Sequence, residues 1–401
     1  MRSIEDQIGA CLALASPLPP LEVVLRDALG CPLARDAVAP TDVPPMDLAT
    51  VDGYAVAAPT SEPAHDGPLR VLDDLLAGAH DAGRVIPGTA VRVASGCLLP
   101  LGSDAFVPVA ETDWGLAKVG LRRPPIPGEN LRRRGEEARA GDVLLPAGTR
   151  LGSRQVALLA GAGIGRVVVA ARPRVVVMPV GSDLVEAGRP AVTGSVFDSS
   201  GHALASAAQE RGGAARRVPA APDDRAGLRE VIEDQLVRAD LLILTGGQGV
   251  GRADTVQDVL SSLGSVRFDD VALSPGGRIG FGVIGDGVLV AALPGDPVAA
   301  QITFDLIVAP VLRRLAADAE PPAAEVTAAS LRGWSSPPGR RQYVPVTLSG
   351  SVDDGYRCEP TCDPERPTLS ALAQADALAV VGEDASEVRL GDQLGCIDLS
   401  R

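Results

Sequence analysis

The sequence predicts a multi-domain α/β protein: an α/β layer sandwich on a mostly parallel sheet, joined by two smaller β-rich domains. Three observations predict it. Between Arg174 and Ala316, continuous apolar runs alternate with amphipathic stretches, as in strands buried on both faces and covered by helices. Between Val51 and Val119, and again between Glu325 and Cys396, short apolar pieces are cut by Gly, Pro and Asp, the rhythm of small β domains. The chain has 401 residues, room for about two to four domains at ~100–200 residues each.

Taken in order, the N-terminal stretch reads as an amphipathic helix, a proline-rich break at Ser16–Pro20, and a second helix from Leu21 to Leu29. Pro40, Pro44 and Pro45 then forbid regular structure. Tyr54–Ala57, Val85–Ile86, Ala90–Ala94 and Ala105–Val109 are predicted strands. Residues 121–150 are basic and turn-rich, Gln155–Ala162 is predicted helical, and Arg166–Val169 a strand. At Pro173 the period changes. Arg174–Val180 is a fully buried strand, Asp198–Arg211 a helix, and a strand lies near Arg216–Pro219. Asp223 or Asp224 caps a helix whose Leu228, Val231, Ile232 and Leu236 share one face. Leu241–Leu244 is a buried strand that runs through a glycine-rich turn into a helix carrying Val256, Val259 and Leu260. Ile279–Val283 and Val288–Ala292 are strands, and Pro297–Ala316 is a long helix.

Composition excludes several function classes. Gly 45 and Pro 34 are scattered without a period, so collagen-like and low-complexity readings fail. Aromatic residues make up 2%, too few for a wall of rings stacking on bases or sugars. The net charge of −14 repels a phosphate backbone, so no nucleic-acid partner is expected. No apolar run reaches the ~18 residues of a membrane span, so no membrane partner is expected either. Glu5 and Asp6 stand where a signal peptide would be basic, and a cytoplasmic location is expected. Cys358 and Cys362 lie close in sequence but lack a second pair or a nearby His, so the six cysteines are read as buried, inert thiols. His65, His80 and His202 show no metal-ligand spacing and are read as surface residues. Lys118 is the sole lysine; every other basic residue is arginine.

Three turns at the ends of predicted strands carry the chemistry. Thr245-Gly-Gly-Gln-Gly-Val-Gly251-Arg-Ala-Asp254 follows a buried strand and opens a helix. Its glycines let the backbone approach a ligand, and the helix start offers free N–H groups to an anion such as phosphate. It is neither a P-loop nor a dinucleotide fingerprint, and a plain strand-to-helix turn is the competing reading. Val180-Gly-Ser182-Asp183 and Leu293-Pro294-Gly295-Asp296-Pro297 are the other two. Since ligands of open α/β sheets collect outside the carboxyl ends of the strands, these turns are expected to line one crevice. Asp183, Asp254 and Asp223 are hard oxygen ligands suited to Mg2+ held together with substrate phosphate; helix capping is their ordinary alternative.

In order and spacing these segments resemble one family, the molybdopterin molybdotransferases (MoeA and the E domain of gephyrin). The resemblance is carried by Pro44-Pro45 with Val51-Asp-Gly-Tyr-Ala-Val56, Ala94-Ser-Gly-Cys-Leu-Leu-Pro100 and Gly128-Glu-Asn-Leu-Arg132. It continues through Gly135-Glu-Glu137, Arg174–Leu184, the Thr245–Asp254 loop, Ser274-Pro-Gly276, Leu293–Pro297 and Gly339-Arg340, and so covers nearly the whole chain. The resemblance implies an elongated homodimer with a linking domain of two segments (1–41 and 138–172), a β-rich domain (42–137), a molybdopterin-binding-like α/β domain (173–318) and a C-terminal β domain (319–401). It implies insertion of molybdate into adenylated molybdopterin with Mg2+-dependent loss of AMP. Catalytic residues implied are Asp52, Ser95, Asp183, Asp254 and Arg278, with Asp52 and Ser95 reaching in from the partner subunit. The pterin's phosphate end is expected against Ser182, Gly246, Gly247, Gly249 and Gly251, and against Pro275, Gly276, Pro294 and Gly295. Asp183, Asp223 and Asp254 are the implied metal ligands.

The chain departs from the family pattern Lys-x-x-x-Lys-Pro-Gly-Lys-Pro, which here reads Asp270-Val-Ala-Leu-Ser274-Pro-Gly-Gly277-Arg278. An oxyanion needs a cation, and Arg278 or Arg267 is expected to supply it from a neighbouring position. Gly249 replaces a family Ser, Arg252 an acidic residue and Asp296 an Asn. Three readings follow: a molybdotransferase; a dimeric pterin-binding or protein-scaffolding paralogue; and nucleotide chemistry like that of the sister adenylyltransferases.

Overall fold

The computed structural model describes residues 1–58, 67–249, 255–318 and 324–399. The chain divides into two compact units, one formed by Met1–Leu21 with Ala170–Arg401 and one by Glu22–Val169. Among the described residues no helix is long and apolar enough to cross a membrane.

The first unit is organised by a six-stranded sheet in the order Ala214–Arg217, Arg174–Pro179, Leu241–Thr245, Val288–Leu293, Arg278–Ile284, Gly264–Asp270. The first four strands run parallel, and Arg278–Ile284 is antiparallel to its neighbours on both sides. Side chains alternate between the faces. Val175, Val177, Leu241, Ile243, Leu289 and Ala291 pack in one core, with helices Ile4–Leu14, Ser200–Glu210 and Pro297–Thr303. Val176, Met178, Leu242, Leu244, Val290 and Ala292 pack in the other, with helices Arg225–Leu236 and Val256–Leu263. Burial on both faces is why these strands read as unbroken apolar runs.

The same unit contains a small closed barrel. Arg341–Ser351 pairs with Gly355–Pro360, that strand with Glu325–Ser330, and the next with Gln393–Asp398. Gln393–Asp398 pairs with Ala377–Val381, which returns to Arg341–Ser351 and closes the ring around Val344, Cys358 and Cys396. Closure leaves these strands no free edge.

The second unit centres on a five-stranded sheet in the order Ala105–Pro108, Gly53–Val56, Thr89–Val93, Leu69–Leu75, Lys118–Val119. Ala55, Val91 and Phe106 pack on one side of it, and Tyr54, Val56 and Val107 on the other. Helix Ser153–Gly161 buries Leu159 in a separate cluster with Cys31 and Val169.

Three sequence expectations need correction, and two strands lie outside them. The predicted helix Leu21–Leu29 is instead the strand Leu21–Val24, paired with Arg166–Val169, followed by the short 3-10 turn Leu25–Asp27. The β-branched pair Val23-Val24 finds a strand partner, and a helix that short is marginal alone. Val85–Ile86 forms no strand; Val85 N–H donates to Leu101 O at 2.8 Å in an isolated bridge. The strands Leu69–Leu75 and Gly264–Asp270 carry no clear period, the first because its register shifts between Val71 and Asp74, the second because it is a polar edge. The long helix is three pieces, Pro297–Thr303, a π segment Phe304–Val308 and Ala309–Leu315. Pro310 cannot donate to the carbonyl four residues back, and the helix widens just before it.

Candidate active site

The three motif turns sit together because their strands are parallel neighbours. Arg174–Pro179 pairs with Leu241–Thr245 and that strand with Val288–Leu293, all running the same way, so all three carboxyl ends emerge on one edge. Backbone bonds tie them there: Val180 N–H donates to Thr245 O at 2.9 Å, and Gly246 N–H to Leu293 O at 3.2 Å. The Thr245 hydroxyl donates to Pro294 O at 2.7 Å, and the Gln248 amide to Leu293 O.

Glycine is required at this edge. Gly246 has φ +92°, and a β-carbon there would lie 2.6 Å from Val180 O. A β-carbon on Gly295 would lie 3.3 Å from the Gly246 α-carbon. With no side chains to keep them apart, the turns close together and leave a cleft of about 400 Å3 outside the strand ends, lined by Asp183, Thr245, Gly246 and Gly295 among others.

The far wall of the cleft comes from Leu184–Val185, which pairs in parallel with Val196–Phe197, and from the start of helix Ser200–Glu210. Asp198 is buried beneath it; its carboxylate accepts from Gly201 N–H at 2.8 Å and from Arg217 Nε at 2.6 Å. A β-carbon on Gly201 would strike that carboxylate and come within 2.5 Å of Pro179. Arg217 also bonds Glu186, whose other oxygen meets His202 Nε2 at 2.9 Å. The Arg217 guanidinium, helped by His202, holds the Glu186 carboxyl below the usual range. The Ser200 hydroxyl donates to Gly295 O at 3.3 Å, joining this wall to the third turn.

Of the residues singled out in the sequence, Asp183, Gly246 and Gly295 line the cleft, Asp183 with an exposed carboxylate. Ser182 and Asp223 bind each other: Ser182 N–H donates to Asp223 Oδ2 at 2.8 Å, and Asp223 N–H to the Ser182 hydroxyl at 3.3 Å. Asp224, not Asp223, caps the Arg225–Leu236 helix. Gly247 follows at φ +63° beside Val256, and Gly249 is exposed at the end of the described part of the loop. Gly251 and Asp254 lie outside the described residues, as does His65. Gly276 packs beside Pro294, and the carbonyls of Leu273 and Gly276 take Arg340 Nη1 at 3.3 and 3.0 Å, tying down the loop that holds Pro275.

Arg278 does not line the cleft. Its Nη2 donates to Gln257 Oε1 at 2.6 Å on the helix that follows the glycine turn, and Nη1 lies 3.9 Å from Asp270. Arg267 is bound to Asp269 at 2.7 Å. In the second unit Asp52 and Ser95 are brought together, Ser95 N–H donating to Asp52 Oδ1 at 2.7 Å, both exposed. Sequence reasoning missed Asp198, Arg217 and Phe197. Asp198 was absorbed into the predicted helix, and a two-residue strand is too short to show a period; the dipeptide Val196-Phe197 just before an Asp was the available signal.

Among the described residues no three His, Cys, Asp or Glu side chains cluster closely enough to hold a metal by themselves. One exposed carboxylate in the cleft, with Asp223 spending an oxygen on the Ser182 turn, fits the donor set of a Mg2+ that takes most of its ligands from water and substrate phosphate.

Three family models match the chain: the MoeA N-terminal region (domain I and II) over residues 2–163, a probable molybdopterin binding domain over 176–314, and the MoeA C-terminal region (domain IV) over 327–399. Molybdopterin molybdenumtransferase 1 of Mycobacterium tuberculosis is 35% identical, covering 98% of this chain and 97% of that protein. Molybdopterin molybdenumtransferase 2 of the same organism is 32% identical with 100% of each covered. A crystal structure of the molybdopterin biosynthesis MoeA protein from Pyrococcus horikoshii superposes with a TM-score of 0.78 at 28% identity, covering 100% of this chain and 99% of the other. With three models in register and full-length relatives of this identity, the chain belongs to the MoeA family of molybdopterin molybdenumtransferases.

Proposed function

We propose that the chain acts in molybdenum cofactor biosynthesis, inserting molybdate into adenylated molybdopterin with release of AMP. The observation that carries this reading is the cleft outside three parallel strands, where glycine backbones and the start of an α-helix face one exposed carboxylate, Asp183. That combination receives a phosphate-bearing substrate: backbone and helix dipole favour the anion, and a carboxylate addresses a metal that neutralises it. The scaffolding and adenylyltransferase readings gain no specific observation.

In this reading Gly246 and Gly295 let the substrate's phosphates approach the backbone, and Ser199 and Ser200 present the amide end of their helix. Mg2+ would be held by Asp183, with Asp223 beside it and Asp254 from the part of the loop outside the described residues, and would neutralise phosphate charge as the phosphoanhydride bond to AMP breaks. The buried Asp198–Arg217 pair keeps the helix start in place. Arg278, standing next to the lost family lysines, is assigned to the oxyanion, for which its guanidinium would have to leave Gln257. Asp52 and Ser95, already hydrogen-bonded to each other, are assigned to the cleft of a partner subunit in a cytoplasmic homodimer. The four-domain division is proposed with the same family plan.

The test is AMP release from adenylated molybdopterin with molybdate and Mg2+. Asp183→Asn should lower the rate by about 100-fold and raise the Mg2+ requirement, while Arg278→Met should chiefly raise the KM for molybdate. A wild-type chain that binds the pterin yet never releases AMP would remove the transferase reading.

A further inference from the structure

The chain has ten aromatic residues, Phe 5, Tyr 3 and Trp 2. Eight are buried or half-buried; only Trp114 and Phe197 are exposed. Phe197, 51% exposed, is the one aromatic side chain lining the cleft. It adds little to any core, and leaving a Phe in water is unfavourable. Its backbone is nonetheless firmly placed. Val196 N–H donates to Asp183 O at 3.0 Å and Asp198 N–H to Val185 O at 3.0 Å, one bond on either side of Phe197. The next residue, Asp198, is locked by Arg217 and Gly201. A ring on a fixed base loses little freedom on binding, so its contact energy is kept. Around it the wall is apolar, with Leu184 half-buried and Val196 exposed. Two residues further on, Ser199 and Ser200 open the helix whose amide end faces the same cleft.

We propose that Phe197 is the ring-stacking residue of this cleft: it takes the face of a planar heteroaromatic ring joined to phosphate, while the helix start and the glycine turns take the phosphate. The proposal rests on the substrate reading above and sharpens it. Adenylated molybdopterin carries two such rings, adenine and pterin, and the shared chemistry is a flat π-face. A chain too poor in aromatics for a wall of rings still supplies this one where a phosphate site needs it.

Calorimetric titration of the full chain with three probes tests this: Mg2+-ADP, 6-hydroxymethylpterin, and inorganic pyrophosphate, which has no ring. Phe197→Ala and Phe197→Leu should both weaken a ring-bearing probe roughly ten-fold or more, and leave pyrophosphate within about two-fold. Phe197→Trp should restore the ring-bearing probe and show indole fluorescence quenched on its addition. Weakening confined to ADP assigns the face to adenine, and weakening confined to the pterin assigns it to that ring; both support stacking. Equal loss for pyrophosphate, a change of oligomeric mass by light scattering, or full affinity in Phe197→Leu overturns stacking in favour of simple packing. Wild type that binds ADP or pterin with Phe197→Ala indifferent overturns the stacking role alone. Wild type that binds none of the three overturns the substrate reading and the stacking role with it.

Discussion

The two ends of the parallel sheet are built from the same three strands and are finished in opposite ways. At the amino end, Arg174 and Asp240 form a two-pronged ion pair, Nη2 to Oδ1 at 2.7 Å and Nε to Oδ2 at 3.2 Å, and the Arg174 backbone N–H also donates to Oδ2 at 2.8 Å. Leu14, Leu236 and Leu289 lie beside this pair along a groove of about 690 Å3. At the carboxyl end no charged pair joins the three strands among the described residues; the ties are backbone bonds and the uncharged Thr245 and Gln248 side chains, and glycines stand where larger side chains would fill the edge. One end is held by a charged pair, the other by backbone and uncharged bonds around glycines. The glycine end is where a ligand can touch backbone, which is why ligands of such sheets gather there.

The comparison breaks hardest at Gly246. Alanine there must accept φ +92° and a β-carbon 2.6 Å from Val180 O, so the second turn moves away from the first. A displacement of about 1 Å at a reacting site costs on the order of 100-fold in rate, and Gly246→Ala should lose AMP release on that scale. Positive-φ strain plus overpacking should also cost about 2–3 kcal/mol of stability, read by denaturant unfolding. An Ala variant with wild-type activity would show that the turns need no close approach. Arg217→Met is the next largest. Asp198 keeps its bond from Gly201 but loses its cation while buried, and about 3 kcal/mol of stability should go with it. Double replacement of Arg217 by Met and Asp198 by Asn should recover most of that loss, because it is the stranded charge that is costly. If the single and double variants melt alike, the pair contributes only packing.

How much of this was legible follows the same division. The parallel strands could be read because burial on both faces leaves an apolar run such as Val175–Met178, and the turns because Gly and Pro punctuate them. Pattern fails where tertiary pairing decides. Leu21–Val24 has the spacing of a short helix and becomes a strand because Arg166–Val169 offers it a ladder. Gly264–Asp270 is a strand with a polar outer edge, which no period marks. In the cleft, Asp183, Gly246 and Gly295 were visible as turn residues. Asp198 and Phe197 were not, since their importance comes from Arg217, distant in sequence, and from a two-residue strand. Arg278 was named from its neighbourhood in sequence; in the structure it binds Gln257 and lies 3.9 Å from Asp270, outside the lining of the cleft.

The smallest effect belongs to the amino end, and its sign can be worked out. Burial alone would raise the Asp240 carboxyl, but the Arg174 guanidinium and the Arg174 backbone N–H outweigh it and hold Asp240 below the usual carboxylate range. A carboxyl lowered in the folded state contributes stability that is fully present above its unfolded value, near pH 4, and is lost as pH falls through the lower folded value. Asp240→Asn keeps an oxygen for the Arg174 backbone N–H but removes the charge. Arg174 is half exposed, so solvent screens the pair and the loss at pH 7 should be about 1 kcal/mol or less. That difference should stay constant from pH 8 to about pH 5, then close as the wild type is acidified, because a protonated Asp240 and the amide that replaces it are near equals toward Arg174. Unfolding curves of the two chains at several pH values measure it, and high salt should shrink the gap. A gap that widens in acid would mean Asp240 stays charged for a reason other than Arg174. An unchanged Gly246→Ala penalty in the Asp240→Asn background would show that the two ends of the sheet act independently, side chains closing one and backbone opening the other.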